Sequence, residues 1–228
     1  MNIIVISLER AKERREQIET QLKKLNIEAV MFNCFDVANI KNNTFGAKFT
    51  LPGGYRYGED MKPGEIACTL SHIMALNIAK ALNWEYVIIL EDDVILAEDF
   101  EKRIKVLLKM LPKDWEHVYL SGIPRFNSHF LQTNLIQLFP STREKLSRVD
   151  GTCAFMIRNI AYDKFIVKLS SLETTPDDLI NHFIFLEKQV KSYIYFPFVA
   201  FVNDEYTYIG ETKNNRVHPS KQFYIEKL

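Results

Sequence analysis

"NIIVISLERAKERREQIETQLKKLNIEAVMFNCF" (Asn2–Phe35) carries the first decision about the fold. Its opening seven residues are β-branched and almost wholly apolar, which suits a strand buried on both faces of a parallel sheet better than a half-exposed one. The charged stretch that follows sets Ile18, Leu22 and Leu25 at helical spacing among good helix formers, so it predicts an amphipathic helix. "EAVMFNCF" then predicts a second strand, and the three pieces make a β-α-β unit with a right-handed crossover.

The same alternation continues outward. From Asp36 to Lys62 the chain turns irregular, and "LPGGYRYGEDMKPGE" gathers the glycines, prolines and tyrosines of a long, functional or mobile loop. "GEIACTLSHIMALNIAKALN" predicts a helix with Ile66, Leu70, Ile73 and either Leu76 or Asn77 along one face. "YVIIL" predicts a strand, "EDFEKRIKVLLKML" a helix stopped by Pro112, and "HVYLSG" another short strand. "NLIQLF" is a candidate strand within polar loops, and a helix is expected from about Asn159 to Ser171. "TTPDDLINHFIFLEK" starts a further helix, with Thr175 as its cap and Pro176 at its first position. The polar tail from about 203 receives no assignment. The expectation is an α/β fold, a mostly parallel central sheet flanked by helices, in a single domain over residues 1–228.

The composition is ordinary for a soluble globular protein, 47% hydrophobic and 25% charged. Lys plus Arg and Asp plus Glu number 29 each, which gives no global electrostatic reason to expect nucleic acid or an anionic membrane. Cys34, Cys68 and Cys153 are odd in number and lack the close pairing of zinc sites or redox dithiols, so reduced, mostly buried thiols are expected. "MNIIVISLER" is apolar over too few residues for a secretory signal and "YVIIL" is too short to span a bilayer, so the cytoplasm is the expected compartment.

Glu91, Asp92 and Asp93 follow "YVIIL" directly. Ligands of open α/β sheets bind beyond the carboxyl ends of strands, so these acids stand where a site is expected. Crowded carboxylates repel one another, and a divalent cation is the usual remedy; oxygen ligands suit Mg²⁺ or Mn²⁺. The alternative is that the acids begin the following helix and complement its dipole. "EDDVILAEDFEK" lacks the central glycine of an EF-hand, and the chain contains no P-loop or G-x-G-x-x-G.

Five blocks in order resemble glycosyltransferase family 25, which includes lipooligosaccharide and collagen galactosyltransferases. They are "VISLERAKERRE", "GEIACTLSHIMALNIA", "VIILEDDVIL", "VDGTCAFMI" and "TPDDLINHF", and the resemblance runs from about Asn2 to Val202. It implies a GT-A type nucleotide-sugar-binding fold, a UDP-sugar donor, a divalent cation (Mn²⁺ or Mg²⁺) and an inverting transfer of a hexose, galactose or glucose. The acceptor it implies is a lipooligosaccharide, lipopolysaccharide or related glycan, lipid-linked, with peripheral association at the inner membrane leaflet. The only local support for that association is a mildly basic tail with Lys213, Arg216, Lys221 and Lys227.

Within the resemblance, Asp93 is the metal ligand that joins the cation to the donor diphosphate, Glu91 touches the ribose or a metal-bound water, and Asp92 points differently because strand neighbours alternate faces. Asp178 is the first choice for the catalytic base and Asp177 the second, with Asp150 a third candidate; a helix-dipole cluster is the plain alternative for the pair. Arg10 and Arg14 are placed to meet a nucleotide base or phosphate, although a solvated helix face suits Arg14 too. Ser7 either faces the uridine pocket or is a buried serine satisfied by backbone. His72 is expected to contact the donor or support the site rather than ligate metal, and Tyr55 to Tyr57 to stack on a sugar or form a surface turn. Two other functions use the same acids: a Mg²⁺-dependent phosphohydrolase or nucleotidyltransferase, and a non-catalytic nucleotide-sugar or carbohydrate-binding module.

Overall fold

Alternation along β1 (Ile3–Ser7) decides how the layers assemble: Ile3 and Val5 enter one hydrophobic core while Ile4 and Ile6 enter another. The computed structural model describes residues 1–37, 61–124, 134–138, 149–187 and 189–203. The loop tyrosines Tyr55 and Tyr57 and the tail lysines and arginine lie outside these residues.

β1 pairs in parallel with β2 (Val30–Asn33) and with β3 (Tyr86–Glu91). Between β1 and β2 runs α1 (Lys12–Lys24), which buries Ile18 and Leu22 as its spacing predicts. α2 (Pro63–Ala81) leads into β3, and both helices stop at a Leu-Asn pair whose asparagine, Asn26 or Asn83, takes positive φ and terminates the turn. A short β4 (Val94–Leu96) follows β3 and pairs with β11 (Ala200–Val202) before α3 (Phe100–Met110) begins.

The second half is mixed in direction. β5 (His117–Tyr119) and β10 (Ser192–Tyr195) are parallel, β7 (Leu135–Gln137) runs antiparallel beside β10, and β9 (Ala154–Arg158) sits antiparallel between β3 and β5. The seven-stranded order is β2-β1-β3-β9-β5-β10-β7. The α/β class with flanking helices therefore holds, but the sheet is mixed, because β9 and β7 run against their neighbours; hydrophobic runs alone do not encode strand direction. A separate ribbon joins β6 (Ile123–Pro124) to β8 (Val149–Asp150).

α1 and α3 cover one face of the sheet; α2, α4 (Tyr162–Leu169) and α5 (Pro176–Asn181) cover the other. The buried side of α2 differs from the expected one. Thr69, Ser71, His72, Ala75, Leu76 and Ala79 are buried while Leu70 and Ile73 are only partly so, because the small residues let α2 lie close to the sheet. That rotation turns the polar Ser71–His72 pair inward, toward the end of β3.

Candidate functional site

The acids do not belong to a helix start. β4 separates Glu91, Asp92 and Asp93 from α3, whose first residue is Phe100, so the dipole alternative fails on geometry. Glu91 ends β3, where its N–H donates to Cys153 O at 2.8 Å, and Asp92 N–H donates to Ile6 O at 3.1 Å. Asp92 and Asp93 form the turn into β4. Strand alternation no longer applies there, and the two side chains converge instead of diverging: Arg14 Nη2 bonds Asp92 Oδ1 and reaches Asp93 Oδ2 at 2.9 Å.

One guanidinium thus serves two carboxylates, Asp92 buried and Asp93 partly so. Burial pushes the Asp93 carboxyl up to about 7, Arg14 opposes the rise, and Glu91 and Asp92 add to it. Glu91 is also raised, chiefly by burial, against the hydroxyl of Thr152, which donates to its Oε1 at 2.9 Å. Asp93 Oδ1 remains buried with no hydrogen-bond partner, a carboxylate oxygen short of positive charge. These oxygens fit a hard divalent cation, which would be held by Asp93 with Glu91 beside it.

Two clefts meet at this wall. The first is lined by Arg10, Arg14, Cys34, Phe35 and Ser71 and reaches Glu91, Asp92 and Asp93. Arg10 stands at its mouth, paired with Asp36 at 2.6 Å. The second, about 380 Å³, is bounded by Asp150, Gly151, Thr152, Thr175 and Asp177 and reaches Glu91 and Asp93 from the other side. Its size lies within the roughly 300–1,000 Å³ typical of small-molecule sites. Cys68 also lines both clefts.

The later blocks assemble the second cleft. Gly151 holds φ +94°, a conformation that favours glycine, and its N–H donates to Asp177 Oδ2 at 3.3 Å. Asn181, buried one turn along α5, donates to Val149 O at 2.9 Å and accepts from Val149 N–H at 3.0 Å. It therefore clamps α5 to β8 and fixes Asp177 near Asp150. Asp178 does not line either cleft; Thr174 Oγ1 donates to it at 3.5 Å. Thr175 precedes α5 but makes no capping bond, and its buried Oγ1 has no partner. Ser7 is 1% exposed with an unpartnered Oγ, lining neither cleft and lacking the backbone bond expected of a satisfied serine.

His72 is fully buried and stacks on Phe155 at 5.6 Å between ring centroids. Cys68, His72 and Glu91 offer ligand atoms within 4.8 Å of one another, so this group could hold a metal ion. The three cysteines are free thiols, Cys153 buried and the other two partly so. Thr152 and Asn181 were not singled out in the sequence, and Cys68 was read only as a reduced thiol. The available signals were the "DGT" run, an asparagine one turn past a pair of acids, and a C-x-x-x-H spacing on a helix.

Among the described residues, no helix is long and apolar enough to cross a membrane. A Glycosyltransferase 25 family member of Aedes aegypti is 31% identical over 125 residues, 52% of this chain and 20% of that protein. Procollagen galactosyltransferase 2 of Mus musculus is 28% identical over 125 residues, again 52% and 20%. The matched stretch therefore spans about a fifth of these relatives. Other matched relatives are named inactive family members. The crystal structure of a glycosyltransferase involved in glycosylation of the major capsid of PBCV-1 superposes with a TM-score of 0.50 at 8% identity, covering 88% of this chain and 93% of that one, a likeness of fold alone. The sequence pattern of "Glycosyltransferase family 25 (LPS biosynthesis protein)" matches residues 1–180, more than half of the chain, and with five ordered blocks folded around one pair of clefts the chain belongs to glycosyltransferase family 25.

Proposed function

We propose that this chain is an inverting, metal-dependent glycosyltransferase that moves a hexose, galactose by analogy with the galactosyltransferase relative, from a UDP-sugar to a glycan acceptor of the lipopolysaccharide class. The observation that carries the reading is the shared wall: Glu91 and Asp93 line a cleft bearing two arginines on one side and a cleft bearing Asp150 and Asp177 on the other. A diphosphate needs cationic partners and an acceptor hydroxyl needs a base, and the two needs are met on opposite sides of the wall.

In this reading Arg10 and Arg14 bind the nucleotide diphosphate, Asp93 and Glu91 hold the cation, and the sugar lies across the wall. A bound divalent cation would neutralise charge on the departing diphosphate. Asp177, held by the Gly151 N–H, takes the acceptor hydroxyl's proton as that oxygen attacks the anomeric carbon, and Asp150 shapes the acceptor side. Asp177 is preferred to Asp178 because it lines the cleft. Asp92 supports the wall through Arg14, and His72 packs behind it, stacked on Phe155.

A second reading is favoured by one observation. Arg14 already occupies Asp92 and Asp93, as it would in a non-catalytic sugar-nucleotide-binding relative that had dispensed with its cation. The unpartnered Asp93 Oδ1 speaks for the first. Incubation with a panel of nucleotide sugars and Mn²⁺ or Mg²⁺, with and without saccharide acceptors, distinguishes them. Acceptor-stimulated UDP release supports transfer; metal-independent UDP binding without release supports the binding module; neither sinks both.

A further inference from the structure

Cys68 and His72 are four residues apart on α2 and so share one face, and that face meets Glu91 at the end of β3. The His72 ring is held between two backbone carbonyls, Cys68 O at 2.9 Å from Nδ1 and Thr152 O, and burial keeps the ring neutral, so it can donate to only one of them and its other nitrogen presents a lone pair. Nε2 is buried without a hydrogen-bond partner and lies 3.6 Å from Glu91 Oε1. A neutral imidazole crowded by two carbonyls and a carboxylate, out of water, has more acceptors around it than hydrogens to give, which is unfavourable unless something electron-poor joins them. The Cys68 sulfur stands alongside, 3.7 Å from Nδ1, and Cys68 lines both clefts.

We propose that Cys68, His72 and Glu91 form a binding site for a thiophilic divalent cation of the Zn²⁺ class, distinct from the oxygen-ligand position at Asp93. A thiolate, an imidazole and a carboxylate are the donor set of Zn²⁺ rather than of Mg²⁺ or Mn²⁺, which favour oxygen. Three protein ligands would leave a fourth position of a tetrahedral ion for water. The supporting bonds are already made: Nδ1 to the Cys68 carbonyl, and Glu91 Oε1 accepting from the Thr152 hydroxyl. On binding, the Cys68 S–H proton leaves to solvent as the metal–sulfur bond forms. Because Glu91 belongs to both positions, a thiophilic cation withdraws it from the cluster around Asp93.

Cobalt titration of the full, reduced chain without nucleotide tests the site independently of any transfer activity. The expected result is one equivalent of Co²⁺ giving thiolate-to-metal charge-transfer absorption, displaced by stoichiometric Zn²⁺ and not by excess Mg²⁺. Cys68→Ser and Cys68→Ala, made in parallel so that one well-folded variant suffices, remove the absorption and weaken Zn²⁺ binding more than about a hundredfold, beyond the loss for an outer-shell partner. Cys34→Ser and Asp93→Asn keep it. Absence of the band in the wild type, its survival without Cys68, or its loss with Cys34 or Asp93 overturns the proposal. A band from a chain that releases no UDP would leave this site standing and the transferase reading fallen.

Discussion

Arg14 reaches Asp93 Oδ2 at 2.9 Å while the same nitrogen bonds Asp92, so a single arginine from α1 restrains the turn that follows β3. With the arginine side chain 10% exposed, the charge is held largely out of water, where breaking such a pair leaves an uncompensated anion.

Arg14→Gln is expected to lower stability by about 3–5 kcal/mol, the usual cost of removing one partner from a buried pair. Millimolar Mn²⁺ should then raise the melting temperature of the variant more than that of the wild type, because a cation can take over the neutralisation. Equal shifts in a thermal melt would show that Asp92 and Asp93 do not accept a cation when the arginine is gone.

Asp93→Asn should reduce turnover at least about a hundredfold with the fold intact, as expected for a group that organises charge stabilisation. Its pH signature has a definite sign. Burial lifts the carboxyl from 3.8 to about 7, so between those values the native chain keeps a proton that the unfolded chain releases. Stability from this group is complete below the lower value and is lost as pH rises through the upper one, by up to about 1.4 kcal/mol per unit. In chelator, wild type should therefore lose stability relative to Asp93→Asn between pH 4 and about 7; parallel denaturation curves would refute the assignment.

Asp177→Asn should preserve UDP-sugar binding yet slow transfer by about 10²–10⁴-fold, while Asp178→Asn changes it by less than about tenfold. Single-turnover rates with separately measured donor affinity settle the order, and the reverse ranking would move the base to Asp178.

His117 titrates in the opposite direction from Asp93. It is fully buried among Tyr119, Phe155 and Phe165, accompanied by Ser192 Oγ at 2.7 Å from its Nδ1, and burial lowers its pKa from 6.5 to about 3. Its contribution is present above pH 6.5 and is lost as pH falls toward 3, since the unfolded chain takes the proton first. His117→Gln should flatten the acid limb of urea-derived stability between pH 6 and 4; an unchanged limb would place acid sensitivity elsewhere.

Much of this molecule was legible because burial on two faces leaves an unmistakable mark. Ile3 to Ile6 and Val87 to Leu90 are apolar without interruption, and both segments feed the two cores. Direction was not legible: "AFMIR" reads the same whether β9 runs with β3 or against it, and only the sheet decides. The site was legible as a set of acids but not as an arrangement. Asp92 was expected to turn away from Asp93, yet both meet Arg14, because the strand ends at Glu91 and a turn follows its own rules. Asn181 gave no sign of its role, since a side chain that bonds backbone across 32 residues leaves no periodicity.

The place of β9 also bears on how the chain is made. It fills the gap between β3 and β5, pairing Ile88 with Met156 and Val118 with the same methionine. Until β9 has emerged, β3 and β5 present facing edges that have no neighbour, and such edges invite pairing with other chains. The centre of the sheet is therefore closed by a strand that follows both of its neighbours in the chain, across more than 30 residues from β5 and 60 from β3.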